Sequence, residues 1–353
     1  MPENKSLYKV IHLIPYDTIG GVESAAQTMG SFHDKNIDFT LKYIYKELPR
    51  SQGMSAFYDI WLLFTTAWHV QSLRPHLLIV SLWRSSIVGV LVKIFSPTTK
   101  LVTFLHSEHD FHFLDYLSIR SSVRLSIKIW GDSEATFKGR LSKTQRQLGR
   151  VISFVTKSIK ELPQKKVEPV FIFWGRLHSL KGLDRAIRIF AEIHKKYTTS
   201  RFVIVGPDAG VLSDINKLCV SHDFADSVIF KGPATFNEIV SYARLASFYL
   251  QTSLIEGMAM SVIEAMQLGL VPVVTPVGEV GSYCYHEKNA VIIGTDEQVV
   301  EDVLSLLASN ERYQALREEA IATWQGKPLY RESVLHACHE ILDADLSRKK
   351  GRP

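Results

Sequence analysis

The chain has 353 residues, 46% hydrophobic and 22% charged, which excludes a disordered or fibrous chain and leaves room for two cores. The net charge of +5 is mild, and no aromatic-interleaved basic platform accompanies it, so no nucleic acid is expected as a partner. Cys219, Cys284 and Cys338 are widely separated and odd in number, which argues against a disulfide framework and for a reducing cytoplasm. The opening MPENKSLYK is not expected to be a secretory signal, and no apolar run reaches the roughly 18 residues of a membrane span.

In chain order, Val10–Ile14, Leu41–Tyr45, Leu77–Leu82 and Leu101–Leu105 read as buried strands. Val22–Phe32, Ala56–Leu73 and Ile87–Phe95 read as helices between them, and Ile127–Trp130 and Val151–Val155 as the last strands of this half. The pattern restarts with strand Val170–Trp174, helix Leu183–Tyr197, strand Phe202–Val205, helix Val211–His222, strand Val228–Phe230, helix Phe236–Ala243 and strand Ser247–Leu250. Strands Val271–Val274 and Ala290–Ile293 follow, then helices Glu297–Ala308, Glu311–Trp324 and Ser333–Leu346. Strands alternating with helices imply parallel sheets covered on both faces. The polar stretch Ser158–Val167, with Pro163, marks a boundary. The expected division is 1–160, 168–330 and a C-terminal helix with a basic tail, 331–353. The fold class is therefore α/β, with two tandem Rossmann-like doubly wound domains facing a cleft.

The stretch Ser253–Val274, SLIEGMAMSVIEAMQLGLVPVV, is the most informative. Glu256 and Glu264 flank seven residues between two strand-like runs. The loop Gly257, Met258, Ala259 and Met260 leads into a helix at about Ser261, and its amides would face an anion at a helix N-terminus. Carboxylates accept from sugar hydroxyls. Phosphate at the amides with hydroxyls at both glutamates describes a nucleotide sugar. The bland alternative is two solvated helix carboxylates.

This stretch resembles the Glu-seven-Glu motif of retaining, nucleotide-sugar-dependent glycosyltransferases of family 4. The flanks carry the likeness: E-G-x-x-x-S-x-x-E-A-M, then G-x-V-P-V-V, then a Gly-rich turn at Gly278–Gly281. The resemblance implies a GT-B fold, sugar transfer with retention, and no bound cofactor. It covers Val170–Ile293 well and the first half mainly through Gly20–Glu23 and His106. Two departures stand out. V-I-S-F-V-T-K-S-I-K replaces the usual linker sequence, and V-G-P-D-A-G replaces the more usual G-x-G-P.

Further residues could carry chemistry. Arg176 and Lys181 follow the first strand of the second half, where two fixed cations can hold a diphosphate. The family's matching G-R-L…K-G positions do this for the leaving nucleotide. Gly20 and Gly21, in T-I-G-G-V-E-S, permit close backbone approach to a ligand, and the resemblance places them at the donor phosphates and the acceptor. His106 ends the fourth strand; by the resemblance it contacts the transferred sugar, and otherwise it is a partly buried histidine. His106, His109 and His112, with Glu108 and Asp110 between them, suggest a metal site by spacing alone, but no metal is expected. Asp343-Ala344-Asp345 reads as a solvated helix end.

The expected function is transfer of a sugar from a UDP- or GDP-linked donor to a saccharide or lipid-linked saccharide acceptor, in bacterial surface polysaccharide or lipopolysaccharide assembly. The alternative is a non-catalytic nucleotide-sugar-binding subunit of a glycosyltransferase complex. Ser118–Arg150 carries Arg120, Arg124, Lys128, Lys138, Arg140, Lys143, Arg146 and Arg150 against Asp132 and Glu134. With the aromatic stretch Ala56–Trp68 it suggests a peripheral position on an anionic inner membrane face.

Overall fold

The computed structural model describes residues 7–17, 20–34, 36–45, 56–107, 109–110, 112–164, 166–221 and 224–350. The chain forms two compact units. One is Met1–Thr156 with Pro328–Pro353; the other is Lys157–Lys327.

The first unit is built on a seven-stranded sheet. Its strands are β1 (Tyr8–Tyr16), β2 (Phe32–His33), β3 (Ile37–Tyr45), β4 (Leu77–Ser81), β5 (Lys100–Leu105), β6 (Lys128–Gly131) and β7 (Gly149–Val151). The order is β2-β3-β1-β4-β5-β6-β7, parallel except for β2 against β3. Val10 lies beside Phe39 on one neighbour and Leu77 on the other, and all three are fully buried. Such continuous apolar runs are what a sheet covered on both faces requires.

Several boundaries differ from the sequence reading, for local reasons. The first helix is Gly21–Met29, because Gly30 takes φ 57 and ends it before Phe32 can join. The helix after β4 starts at Leu82, five residues earlier than expected, with Leu82 itself at φ 68. Only Val151 of the predicted strand Val151–Val155 lies in β7. A helix at Phe113–Leu125 was not foreseen. The C-terminal helix Tyr330–Lys350 packs into this same unit. The Tyr330 N–H donates to the Val155 carbonyl at 2.7 Å, and its ring stacks over Phe104.

The second unit holds a six-stranded, all-parallel sheet. Its strands are β8 (Val170–Trp174), β9 (Arg201–Val205), β10 (Val228–Gly232), β11 (Phe248–Gln251), β12 (Val271–Val274) and β13 (Val291–Ile292). The order β10-β9-β8-β11-β12-β13 reverses direction between β8 and β11. That switch point opens a crevice at the carboxyl ends of the strands, where ligands bind in this fold class. Phe171 and Phe248 stack at 5.1 Å where β8 meets β11. The helix Leu183–Lys196 buries Leu183, Ala186, Ile187, Phe190 and Ile193, a 3.6-residue stripe against the sheet. Both units are Rossmann-like, as the alternation of strands and helices predicts.

Candidate active site

The switch point of the second unit brings together the loop after β8 and the loop after β11. Thr252 Oγ1 donates to the Gly182 carbonyl at 2.5 Å, and the Leu254 N–H to the Leu180 carbonyl at 2.9 Å. Gly182 has φ 62, and a Cβ there would lie 2.2 Å from the Thr252 carbonyl oxygen. On the other side, a Cβ on Gly278 (φ 56) would meet the Glu256 carbonyl oxygen at 2.2 Å. Both positions require glycine, and together they clamp the segment that leads to Glu256.

Glu256 is held by one oxygen. Its Oε1 accepts from Lys181 Nζ at 2.6 Å, Ser253 Oγ at 2.6 Å and Gln251 Nε2 at 3.0 Å. Its Oε2 has no protein partner among the described residues. Gln251 is buried and its amide is oriented by two hydroxyls: Tyr249 Oη donates to Oε1 at 2.7 Å and Ser261 Oγ at 3.1 Å. Burial pushes the Tyr249 phenol well above its ordinary pKa, so it remains a neutral donor. Three donors on one carboxylate oxygen fix the rotamer and leave the other oxygen for a ligand.

Glu264 is the fifth residue of the helix Met260–Leu268. Its Oε2 accepts from Trp174 Nε1 at 3.0 Å and its Oε1 pairs with Lys157 Nζ at 2.9 Å. The Lys157 ammonium also lies over the Phe236 ring. Ala259 begins that helix at φ 49, a strained conformation for a residue with a Cβ. Among the described residues no acceptor takes up the amides of Gly257, Met258, Ala259 or Met260. The Met258 carbonyl, in turn, accepts from Tyr283 Oη at 2.7 Å. Arg176 is exposed and has no protein partner among the described residues. The structure thus gathers Lys181, Glu256, Glu264 and the helix N-terminus at the carboxyl ends of the central strands β8 and β11, with Arg176 on the β8 loop that carries Lys181. It adds Trp174, Lys157, Gln251 and Ser253, which the sequence reading missed. The signal for Gln251 was a polar residue closing a buried apolar strand.

In the first unit, Gly20 and Gly21 start a helix N-terminus, while Thr18 and Ile19 of the same motif lie outside the described residues. His106 follows β5 rather than ending it, and its Nε2 bonds Ser81 Oγ at 2.9 Å. The histidine series divides among separate tasks. His112 caps the helix Phe113–Leu125, its Nδ1 accepting from the Asp115 N–H at 3.1 Å, and the His109 carbonyl accepts from Arg140. Glu108 lies outside the described residues, and so does the side chain of Asp345. Asp343 pairs with His339 at 3.7 Å. Among the described residues no three His, Cys, Asp or Glu side chains form a metal-binding group.

The eight basic residues of Ser118–Arg150 are not all a solvated face. Arg140 turns inward to Asp115 and Asp110, and Arg150 pairs with Glu340. Among the described residues no helix is long and apolar enough to cross a membrane.

Residues 154–323 match the family described as glycosyl transferases group 1. These residues form a glycosyl transferases group 1 domain. Curated relatives agree over parts of the chain. The alpha-monoglucosyldiacylglycerol synthase of Acholeplasma laidlawii is 26% identical over 208 residues, covering 57% of this chain and 50% of that protein. The D-inositol 3-phosphate glycosyltransferase of Acidothermus cellulolyticus is 32% identical over 117 residues, 31% of this chain and 26% of its own length. The chain spans half or less of the length of these curated relatives. Among solved structures, Anabaena Alr3699/HepE in complex with UDP superposes with a TM-score of 0.73 at 15% identity, over 96% of this chain and 100% of that one. The apo lipopolysaccharide outer core galactosyltransferase WaaB gives 0.71 at 15% identity, over 94% and 99%. These likenesses establish the fold as that of GT-B glycosyltransferases. The group 1 domain contains the whole Glu256–Lys181–Glu264 constellation.

Proposed function

We propose that the chain is a retaining glycosyltransferase that moves a sugar from a nucleoside diphosphate to an acceptor hydroxyl. The observation that carries this reading is Glu256, locked through Oε1 by three donors and open at Oε2, beside Lys181. Glu256 Oε2 would accept from a hydroxyl of the transferred sugar. Arg176, Lys181 and the amides of Gly257–Met260 would meet the diphosphate, and Glu264 the ribose hydroxyls. Charge accumulates on the diphosphate as the bond to the anomeric carbon breaks, and preorganised cations and amides stabilise that charge most in the transition state. The acceptor oxygen bonds to the anomeric carbon on the same face, and its proton passes to the departing phosphate oxygen. A uridine or guanosine diphosphate donor fits this scheme.

The acceptor is read as a saccharide or a lipid-linked saccharide of the bacterial surface, reached from the inner membrane face. The helix Ala56–Ser72 supports that reading. It buries Leu63, Ala67 and Val70, yet exposes Phe57 (80%), Trp61 (52%), Phe64 (51%) and Trp68 (73%) along its opposite stripe. On the helix Phe113–Leu125, Phe113, Leu114 and Leu117 are exposed alongside Arg120 and Arg124. Aromatic side chains flanked by cations suit an interface between headgroups and acyl chains.

The test is a screen of nucleotide sugars, with released nucleoside diphosphate read by mass spectrometry. Release from one donor, dependent on a carbohydrate or glycolipid acceptor, is expected. Tight nucleotide binding with no release from any donor would instead identify a binding subunit.

A further inference from the structure

The helix Ala56–Ser72 has a flank between its buried stripe, Leu63, Ala67 and Val70, and its exposed aromatic one. Thr65, Thr66 and His69 share that flank, since residues three and four apart on a helix are neighbours. It overhangs β3 beyond the reach of β2, whose ladder pairs only with Asp38 and Phe39. Lys42 of β3 stands there, in register with the buried Leu13 of β1. Between helix and strand lies a cavity of about 280 Å³. Leu13 and Val70 form its buried apolar lining, and Lys42, Thr65, Thr66 and His69 its polar one.

The polar lining is rich in donors. The Lys42 ammonium, the Thr66 hydroxyl and the His69 ring have no hydrogen bond or ion pair among the described residues. The Thr65 hydroxyl donates to the Leu62 carbonyl at 3.1 Å. Among the described residues no carboxylate lines the cavity. An ammonium donates three hydrogen bonds and accepts none, while a hydroxyl and an imidazole can each donate one. One cation without a counter-charge, beside two further donors, suits an anion of single charge that carries several acceptor oxygens. A phosphodiester is such an anion.

The place of the cavity on the helix points to the source of that anion. Thr65 follows Phe64 and His69 follows Trp68, both members of the exposed stripe. Tryptophan rings settle at the headgroup level of a bilayer, and lysine stems carry their ammonium groups to the same level. A helix lying on a membrane with this stripe downward brings its flank to the depth of the lipid phosphates. We infer that Lys42, Thr66 and His69 form a binding site for the phosphodiester of a membrane phospholipid headgroup. Diffuse attraction asks only for charge, whereas this site asks for these three side chains. It rests on the membrane reading above for the source of its ligand, and the transfer chemistry does not enter.

The experiment follows the His69 ring by nitrogen-15 NMR of the full chain, its signals assigned with His69→Gln. The probes are dihexanoylphosphatidylglycerol below its micelle concentration, inorganic phosphate, and an uncharged alkyl polyethylene glycol. The lipid should shift His69 saturably, inorganic phosphate only at about tenfold higher concentration, and the uncharged probe not at all. Lys42→Met should weaken lipid binding about tenfold and Thr66→Val about threefold, with Lys42→Arg near the wild type. No saturable shift with the lipid, or one that Lys42→Met and Thr66→Val leave unchanged, overturns the inference. If Lys42→Met does not fold, Thr66→Val and the three probes decide. Inorganic phosphate binding as tightly as the lipid overturns the headgroup assignment. Vesicle co-sedimentation by a chain whose His69 ignores the lipid rejects this site and keeps the membrane reading. A saturable shift in a chain that binds no vesicle rejects the membrane reading, and with it the headgroup as ligand.

Discussion

Lys181 and Glu256 are bound to each other at 2.6 Å, joining the loop after β8 to the loop after β11 across the switch point. Each neutralises the other and holds it in place, and the proposed roles of the two can be separated by substitution. Glu256→Gln keeps the shape and removes the charge. Turnover should fall about 100-fold or more, while affinity for bare nucleoside diphosphate stays within about threefold. Equal losses in calorimetry and in turnover would mean that Glu256 serves the nucleotide, not the sugar.

Glu264 should behave in the opposite sense. Both of its oxygens are anchored, by Trp174 and Lys157, which aims its remaining lone pairs. Glu264→Ala removes a charged acceptor worth about 1.5–3 kcal/mol, so nucleoside diphosphate affinity should drop about 10- to 150-fold. Unchanged affinity in calorimetry would reject the ribose assignment.

Turnover should survive EDTA. The counter-charge for the diphosphate is assigned to Lys181, the exposed Arg176 and the N-terminus of the helix Met260–Leu268. Loss of activity on chelation, with recovery on adding magnesium or manganese, would show that this assignment is incomplete.

Stability should fall with pH below neutrality. Folding holds the His12 pKa down at about 3 from 6.5 and lowers that of His106 well below its ordinary value. The unfolded chain therefore binds more protons between about pH 6.5 and pH 3, and folding weakens as pH falls through that window. Each ring contributes a slope of about 1.4 kcal/mol per pH unit at most. His12→Phe should flatten the dependence of melting temperature on pH. A variant whose melting temperature tracks that of the wild type at every pH would contradict the buried, neutral assignment.

Vesicle binding offers a separate check. Co-sedimentation with anionic vesicles should exceed that with neutral ones and weaken as salt rises from about 0.1 M to 1 M, where the Debye length shrinks from about 10 Å to 3 Å. Trp61→Ala with Trp68→Ala should reduce it further. Binding to no vesicle would leave the aromatic stripe without a membrane role.

The parallel sheet of the second unit was legible because each of its strands is a short apolar run set off by helical patterns. The Glu256–Glu264 spacing and Lys181 were legible because loops after strands carry their residue types openly. What the sequence could not reveal was pairing. That Lys181 closes on Glu256, or that Lys157 reaches Glu264, depends on which loops the switch point brings together. The missed helix Phe113–Leu125 has a different cause. Its outward face carries Phe113, Leu114 and Leu117, so it lacks the polar and apolar alternation that marks an ordinary surface helix. The early start at Leu82 was hidden because a leucine at φ 68 is a conformation that no propensity predicts.

The return of the helix Tyr330–Lys350 to the first unit bears on how the protein is made. Tyr330, Val334, Ala337 and Cys338 of this helix are buried, with the Tyr330 ring against Phe104 and Phe154. A nascent chain emerges N-terminus first, and domains ordinarily mature in that order. Here the order is inverted. The second unit is complete once Lys327 leaves the ribosome, while the first unit waits, its apolar wall uncovered, for the helix Tyr330–Lys350 to be synthesised. A ribosome stalled just after Lys327 would hold a finished second unit tethered to an unfinished first one, the form that a chaperone or protease would meet first.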